Sequence, residues 1–317
     1  MANGTIMMML GPDGVGKTTL LATMYHELSR IDNDSPFTLM ATADTHQDLQ
    51  AAYEKLTTII TQPTFTPTGP LLKGTAGIIE RQFQLLFNRK PELDFIFCDI
   101  AGGIIRAEET NQDVIDFKTR LNQATVIINV IDGSALVEGD PTLANSKNEP
   151  QSIYELLYPL IQSDKQPHLL LFVITKCEAW LKNAESQQQL EQAFETQYEM
   201  MINLLAKMTN TVAVLIPVKT LGCVEFTHIG YQNQVKEMIF VRKPNLPFQP
   251  NNTDQPLRYA LAFALQQHHQ NRSKWNKFMR WLWNENTAFQ HALVQFAEER
   301  QRNFKIYGNA SLIEVTK

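Results

Sequence analysis

A glycine-rich segment near the start of the sequence has the residue types and spacing of a phosphate-binding loop. Residues 11–18 read Gly-Pro-Asp-Gly-Val-Gly-Lys-Thr and match the pattern G-x-x-x-x-G-K-[ST]. In such a loop the glycines let backbone N–H groups surround phosphate oxygens, and the following helix adds positive potential. We expect Lys17 to bridge the β- and γ-phosphates and the Thr18 hydroxyl to ligate Mg²⁺. The residues predicted to contact nucleotide here are Gly11, Asp13, Gly14, Val15, Gly16, Lys17, Thr18 and Thr19.

A second candidate site follows the apolar segment 95–98. The sequence continues as Asp99-Ile100-Ala101-Gly102, which places a carboxylate at the end of a predicted buried strand. A carboxylate in this position can hold Mg²⁺, usually through a water molecule. The backbone N–H of Gly102 would then lie where a γ-phosphate arrives. We therefore expect Asp99 to bind Mg²⁺ and Gly102 to contribute to catalysis.

A third polar segment, Thr175-Lys176-Cys177-Glu178, directly follows the apolar run Leu169–Ile174. A carboxylate at Glu178 can accept two hydrogen bonds from guanine, from N1–H and from the 2-amino group. Adenine offers no such pair of donors, so a carboxylate here would discriminate between the bases. The Lys176 stem can lie along the plane of the base. Thr175, Lys176 and Glu178 are therefore predicted to bind the base.

Short apolar runs alternate with amphipathic segments along most of the sequence. Thr5–Leu10, for example, suits a central strand covered on both faces. The turn around Pro91 joins two strand-like segments and predicts a β-hairpin. Predicted strands cover residues 5–10, 37–42, 79–87, 93–98, 126–131, 169–174 and 212–217, and predicted helices cover residues 18–30, 44–60, 151–163, 186–208 and 257–267. The alternation predicts an α/β fold with a doubly wound, mostly parallel sheet.

Two domains are predicted. Residues 1–270 form the first, with Asp44 capping its second helix and an insertion at about residues 222–256 before the last core helix. Residues 271–317 form a C-terminal helical arm. Apolar residues lie at helical spacing in this arm, namely Trp275, Phe278, Met279, Leu282, Phe289, Leu293 and Phe296. Packing on the chain's own domain and docking of a protein partner both explain that stripe.

Composition excludes several functional classes. Apolar residues make up 44% of the 317 residues, which supports a packed core. The net charge of −5 argues against a basic surface for nucleic acid. No apolar run approaches the ~18 residues needed to span a bilayer. The amino terminus has no secretory signal and the three cysteines have no metal-binding spacing, so a cytoplasmic protein with reduced thiols is expected.

The order of the three motifs resembles that of the P-loop GTPases of the translation-factor and Ras-like class. The segment Met9–Tyr25 and the long stretch before Asp99, with its Pro/Thr-rich loop at residues 65–70, resemble more closely the double-GTPase-type domains of bacterial conflict and defence gene clusters. The resemblance covers residues 5 to about 270. It implies a Ras-like core that binds GTP or GDP with Mg²⁺ and acts as a switch. It also implies protein partners, reached through the switch loops or the C-terminal arm.

The resemblance assigns roles to residues outside the three motifs. Val218 and Lys219 lie where this class has a short loop that backs the base. The class also needs a threonine that reaches Mg²⁺ and the γ-phosphate. Thr64, Thr66 and Thr68 are the candidates, and Thr68 is preferred as the metal-binding and catalytic threonine because it precedes the strand predicted at 79–87.

Several residues depart from the pattern of the class. Many Ras-like GTPases have glutamine after D-x-x-G to orient the attacking water, whereas Gly103 stands there in this sequence. Asp13 places a negative charge in the phosphate loop, where it could repel substrate. Thr175 and Glu178 replace the commoner Asn and Asp. Arg106 is a candidate for a catalytic arginine supplied in cis. The missing polar side chain at Gly103 predicts slow GTP hydrolysis.

Two other functions remain open on the sequence. A P-loop ATPase or small-molecule kinase would need a lid with several arginines, which is not evident, and Glu178 argues against it. A nucleotide-locked scaffold without turnover is compatible with Gly103 and Asp13.

Overall fold

The computed structural model describes residues 4–29, 36–61, 77–103, 112–163, 166–232, 235–275 and 285–314, in which strands and helices alternate. The strands are β1 Thr5–Leu10, β2 Phe37–Ala41, β3 Ile78–Phe87, β4 Lys90–Ile100, β5 Ala124–Asp132, β6 His168–Thr175, β7 Thr211–Pro217, β8 Val224–Gln232, β9 Val235–Arg242 and β10 Lys305–Gly308. The helices are α1 Lys17–Ser29, α2 Ala43–Thr61, α3 Gln112–Leu121, α4 Gly133–Glu138, α5 Pro141–Asn148, α6 Pro150–Ser163, α7 Ala184–Gln197, α8 Glu199–Leu205, α9 Gln255–Trp275 and α10 Glu285–Glu298.

Eight of these strands form one sheet in the order β10-β7-β6-β5-β1-β4-β3-β2. Strands β4, β1, β5, β6 and β7 are parallel, whereas β2, β3 and β10 join in antiparallel pairs. The central strands are apolar at successive positions because helices cover both faces of the sheet. The predicted doubly wound, mostly parallel α/β fold is therefore confirmed.

Successive residues of β1 show how the two faces are filled. Met7 and Met9 lie in the core formed with α1, α9 and α10, and Met8 and Leu10 lie in the core formed with α3, α6, α7 and α8. All four side chains are fully buried. Because side chains alternate along a strand, an uninterrupted apolar run is what a sheet between two helical layers requires.

The predicted hairpin is present as β3 and β4, which pair in antiparallel register. The turn residues Asn88 and Arg89 both have positive φ angles, of 49° and 66°. Asp44 does not cap α2, because the helix already begins at Ala43 and Asp44 lies in its first turn. The carbonyl of Thr42 accepts the His46 amide at 2.8 Å, so Thr42 opens the helix instead.

Other elements differ from the predicted ones. The helix predicted at 186–208 is two helices, since the backbone leaves helical geometry at Tyr198 between α7 and α8. Helices α3, α4 and α5 were not predicted; α4 and α5 are only 6 and 8 residues long, too short for a clear periodic pattern. Strand β10 was also not predicted, because four residues carry little strand signal.

The segment predicted as a C-terminal arm contributes to the sheet and to its core. Phe289 and Phe296 of α10 contact the ring of Phe37, with centroids 5.8 and 5.5 Å apart. Leu293 is buried beside them, and β10 pairs with β7 at the edge of the sheet. The predicted domain boundary between residues 270 and 271 falls inside α9. Phe278, Met279 and Leu282 lie outside the described residues.

Within the predicted insertion, β8 and β9 form a separate two-stranded ribbon. Met238 of this ribbon packs with Ala135 of α4 and Leu143 of α5. Two ion pairs hold the same elements together, Lys236–Asp140 at 2.5 Å and Lys147–Glu237 at 2.9 Å. The ribbon is thereby fixed to the helices that follow β5.

Candidate functional site

The three sequence motifs lie at one edge of the sheet. The phosphate loop follows β1, the Asp99–Gly102 segment lies at the end of β4, and Thr175–Glu178 follow β6. These strands belong to the parallel part of the sheet, so their carboxyl ends point the same way. Open α/β sheets bind ligands in the crevice outside the carboxyl ends of their parallel strands.

The phosphate loop has the backbone that its glycines predict. Gly11, Gly14 and Gly16 have φ angles of +136°, +81° and +101°, which other residues rarely adopt. A Cβ atom on Gly11 would lie 2.6 Å from the Val130 carbonyl oxygen, so this position has no room for a side chain. A Cβ atom on Gly14 would meet nothing within 4 Å. The loop is packed against the sheet at Gly11 and open at Gly14, as a cradle for a phosphate must be.

Lys17 is buried at the start of α1. Its Nζ donates to the carbonyls of Gly11 at 2.7 Å and Pro12 at 2.9 Å. An ammonium group has three N–H donors, so these two bonds leave one for a phosphate oxygen. Burial lowers the pKa of Lys17, whereas the nearby carboxylates of Asp99 and Asp13 raise it. A bound phosphate would supply the negative charge that favours the protonated amine.

Thr175 joins the phosphate loop to the third motif. Its Oγ1 donates to the Val15 carbonyl at 2.5 Å and lies near Gly16. The Thr175 side chain is almost fully buried, so the hydrogen bond is shielded from water. The hydroxyl of Thr175 thus links the third motif directly to the phosphate loop.

Asp99 is fully buried at the end of β4 and pairs with a cation that the sequence did not indicate. The guanidinium of Arg81, on β3, lies 3.4 Å from the carboxylate of Asp99. The side chain of Thr18 is half-buried in the first turn of α1. A carboxylate and a hydroxyl are the hard oxygen ligands that Mg²⁺ prefers, so Asp99 and Thr18 fit this metal, supplemented by phosphate oxygens and water.

Gly102 lies directly on the phosphate loop. Its backbone N–H donates to Oδ1 of Asp13 at 3.0 Å. A Cβ atom on Gly102 would lie 2.3 Å from the Asp13 nitrogen, so only glycine allows this approach. A cavity of about 580 Å³ adjoins this contact, lined by Pro12, Asp13, Gly102 and Gly103 on one side and by α5 and β9 on the other.

Lys176 is held by a carboxylate on the neighbouring strand. Its Nζ lies 2.6 Å from Oδ2 of Asp132. Burial raises the pKa of Asp132, but the ion pair with Lys176 and the hydrogen bonds from Ser134 and Ala135 outweigh it, so the pKa is lowered overall. Asp132 also caps α4 by accepting the Ala135 amide. The Lys176 ammonium lies 5.7 Å from the ring centroid of Phe240. Lys176 itself has a φ of +53°, an unusual backbone geometry of the kind often found at functional sites.

Glu178 is buried beside the loop that follows β7. One carboxylate oxygen accepts the Leu221 amide at 3.2 Å. Burial raises the pKa of Glu178 to about 7, although the backbone amides of Leu221 and Gly222 and the charge of Lys219 lower it in part. The group is therefore protonated in acid and ionises near neutral pH.

Val218 and Lys219 lie in that loop, next to the third motif. The Val218 carbonyl accepts the thiol of Cys177 at 3.3 Å, and the Val218 amide donates to Ile174 at 2.9 Å. Lys219 pairs through its backbone with Asn251. The structure thus brings the two predicted base-binding segments into direct contact.

The remaining predicted site residues lie outside the described part of the chain. Thr64, Thr66, Thr68 and Arg106 all fall there, so their roles stay predictions. Gly103 is described and directly follows Gly102. The described residues contain no group of three or more His, Cys, Asp or Glu side chains able to hold a metal. A Mg²⁺ ion would therefore need ligands from a nucleotide besides Asp99 and Thr18.

Sequence reasoning missed three charged residues of the site. Arg81 could not be found, because its pairing with Asp99 arises from strand register across the hairpin. Glu149 follows α5, and its negative charge raises the pKa of Lys17. Asp132 was detectable in principle, since a carboxylate at the end of the apolar run of β5 follows the same pattern as Asp99.

A comparison with protein families agrees with these motifs. The family model described as Double-GTPase 2 matches residues 6–214. The chain belongs to the Double-GTPase 2 family. The match includes the phosphate loop, the Asp99–Gly102 segment and the Thr175–Glu178 segment, and it ends within β7. The resemblance to double-GTPase-type domains is thereby confirmed.

Solved structures similar to this family member include two complexes. One is the signal recognition particle receptor SRb-GTP/SRX complex from Chaetomium thermophilum, at 14% identity and a TM-score of 0.36, covering 70% of this chain and 93% of that chain. The other is an ADP-ribosylation factor-like GTP-binding protein, the small COPII coat GTPase SAR1 from Encephalitozoon cuniculi in complex with GDP, at 9% identity and a TM-score of 0.31, covering 69% and 71% of the two chains. No curated protein matches the sequence. None of the helices in the described residues is both long and apolar enough to cross a bilayer.

Proposed function

We propose that this member of the Double-GTPase 2 family is a Mg²⁺-dependent switch that binds GTP and GDP and hydrolyses GTP slowly. The observation that carries the proposal is the hydrogen bond from Thr175 to the Val15 carbonyl, 2.5 Å long. It ties the predicted base-reading segment to the phosphate loop. One nucleotide can therefore contact both segments at once.

In this proposal the phosphates lie over the open face of the loop at Gly14. Lys17 neutralises the β- and γ-phosphates with the ammonium hydrogen that the loop carbonyls leave available. Asp99 and Thr18 hold Mg²⁺, which supplies positive charge to the phosphate oxygens. The negative charge of the nucleotide offsets the desolvation of the buried lysine.

The base is read by Glu178, with the Lys176 stem along its plane. A carboxylate that already accepts the Leu221 amide has further lone pairs for the N1–H and 2-amino donors of guanine. Val218 and Lys219 support this wall of the site, because their loop contacts Cys177 and Glu178. Adenine lacks the donor pair, and this favours a GTPase over the P-loop ATPase or kinase alternative.

Slow hydrolysis follows from the absence of a water-orienting side chain at Gly103. Protein partners that bind the loops containing Thr68 and Arg106 would then set the rate of GTP hydrolysis. Thr68 and Arg106 are the candidate residues through which a partner would act. Phe289, Leu293 and Phe296 are buried, so these three residues of the predicted C-terminal arm are not a docking surface for a partner. The family suggests a cytoplasmic role in a bacterial conflict or defence complex. A locked scaffold without turnover is the remaining alternative.

Replacing Lys17 by Ala tests the phosphate site. We expect Lys17→Ala to weaken GDP and GTP binding by about 100-fold or more, because it removes a charge-assisted bond to phosphate in a buried setting. Thr18→Ala should mainly reduce the gain in affinity that Mg²⁺ produces. Titration with a fluorescent guanine nucleotide measures both effects. Lys207→Ala, which changes an exposed lysine after α8, is the matched control. Unchanged affinity in Lys17→Ala would refute the phosphate site.

Single-turnover hydrolysis tests the proposed rate. The purified protein alone should turn over GTP well below the rates of about 1–100 s⁻¹ that are typical of kinases. The reason is that Gly103 cannot orient water. Phosphate release from preloaded GTP gives the rate. A rate in the kinase range would require another catalytic group, and loss of that rate in Arg106→Ala would identify it.

Exchanging the carboxylate of Glu178 for an amide tests base selection. Glu178→Gln presents one acceptor and one donor, which match xanthine and mismatch guanine. We expect a loss of GTP affinity of about 10- to 100-fold and a gain in XTP relative to GTP. Competition binding with GTP, XTP and ATP measures the change, and Glu185→Gln, on the exposed face of α7, is the control.

The pH dependence supplies an internal check on the same variant. Guanine donors need an ionised carboxylate, and burial raises the pKa of Glu178 to about 7. Guanine affinity of the unmodified protein should therefore fall as the pH drops through 7, whereas Glu178→Gln should show no such step. An unchanged GTP-to-XTP preference in Glu178→Gln would show that Thr175–Glu178 is an ordinary loop.

A further inference from the structure

The contact between Asp13 and Gly102 joins the apex of the phosphate loop to the segment after β4. The Gly102 N–H donates to Oδ1 of Asp13 at 3.0 Å. The two backbones also touch, since a Cβ atom on Gly102 would lie 2.6 Å from the carbonyl carbon of Pro12. The segment after β4 is therefore closed onto the loop by a hydrogen bond to a charged group.

A γ-phosphate would need the same donor. One amide hydrogen directed at Asp13 Oδ1 cannot at the same time serve a phosphate oxygen. A carboxylate and a γ-phosphate at this position would also repel each other. A nucleoside diphosphate has no group there and leaves the Asp13–Gly102 contact intact.

We propose that Asp13 is a specificity-determining residue that disfavours the nucleoside triphosphate relative to the diphosphate by occupying the Gly102 amide. The inference rests on the proposed guanine-nucleotide function and deepens it. Asp13 is exposed and lines the cavity of about 580 Å³ beside the loop. Its carboxylate can therefore turn toward solvent when a triphosphate enters, without repacking of the core. The triphosphate state then begins with the release of Gly102 from Asp13.

The charge on Lys17 also affects the preference for diphosphate over triphosphate. Asp13 and Asp99 both act on the Lys17 ammonium, so Asp13 partly neutralises the cation that a γ-phosphate would use. Removing the Asp13 carboxylate frees the Gly102 amide to donate to a phosphate oxygen. It also leaves more of the positive charge of Lys17 to interact with phosphate. The freed amide favours the triphosphate alone, because a diphosphate has no γ-phosphate to accept it, whereas the change at Lys17 acts on both nucleotides.

Equilibrium binding of GDP and of a non-hydrolysable GTP analogue, measured by isothermal titration with Mg²⁺ present, tests the proposal. We expect the unmodified protein to bind GDP more tightly. In Asp13→Ala the preference for GDP over the analogue should fall by about tenfold, the size of one lost competition for a charge-assisted hydrogen bond. Asp13→Asn keeps the acceptor oxygen without the charge and should fall between the two. Asp48→Ala, an exposed carboxylate on α2, should leave the ratio unchanged.

The outcomes separate this inference from the proposed function. If both nucleotides bind, and their ratio is the same in the unmodified protein, Asp13→Ala and Asp13→Asn, the inference is wrong and the proposed function stands. Equal weakening of both nucleotides in the variants would make Asp13 a structural part of the loop and would also overturn the inference. If the unmodified protein binds neither guanine nucleotide, the proposed function fails and the inference fails with it. Should Asp13→Ala not fold, Asp13→Asn decides the question alone, because it retains the loop's hydrogen bond.

Discussion

The site depends on the hydrogen bond from Thr175 Oγ1 to the carbonyl of Val15. A phosphate loop alone binds a phosphate chain, and a polar loop after β6 alone binds little. The buried hydroxyl fixes the distance between the two, and no water competes for it because Thr175 is almost fully buried. Gly16 lies beside this contact, and its φ of +101° is a backbone geometry that favours glycine. The parallel register of β1, β5 and β6 brings these loops to one edge, and this bond sets their final spacing.

Around that bond, the charges of the site are balanced within the protein. Arg81 faces Asp99, and Lys176 faces Asp132. Burying a charge without a partner costs free energy. Each of these ion pairs lowers that cost for the charged side chains at the carboxyl ends of the strands. In the proposed function a ligand would enter by exchanging partners. A metal ion at Asp99 would compete with Arg81, and a γ-phosphate at Gly102 would compete with the separate Asp13–Gly102 hydrogen bond.

Sequence patterns predicted the fold and the three motifs because both depend on short-range signals. The apolar runs of β1, β5, β6 and β7 are long and uninterrupted, and the glycine spacing of the phosphate loop fixes a local backbone. Three kinds of feature escaped. Helices α4 and α5 are too short to show periodicity, β10 is only four residues long, and Arg81 meets Asp99 through strand pairing rather than through sequence proximity. The contact between Asp13 and Gly102 links residues 89 positions apart, which no local pattern encodes.

We infer that one guanine nucleotide occupies the phosphate loop and the Thr175–Glu178 segment together, with the diphosphate preferred. The most direct measurement is the identity of the nucleotide that stays bound through purification, released by denaturation and separated by ion-pair chromatography. We expect a guanine nucleotide, mainly GDP, in the unmodified protein and its loss in Lys17→Ala. Recovery of an adenine nucleotide would contradict the reading of the base by Glu178, and recovery of mainly GTP would contradict the preference assigned to Asp13.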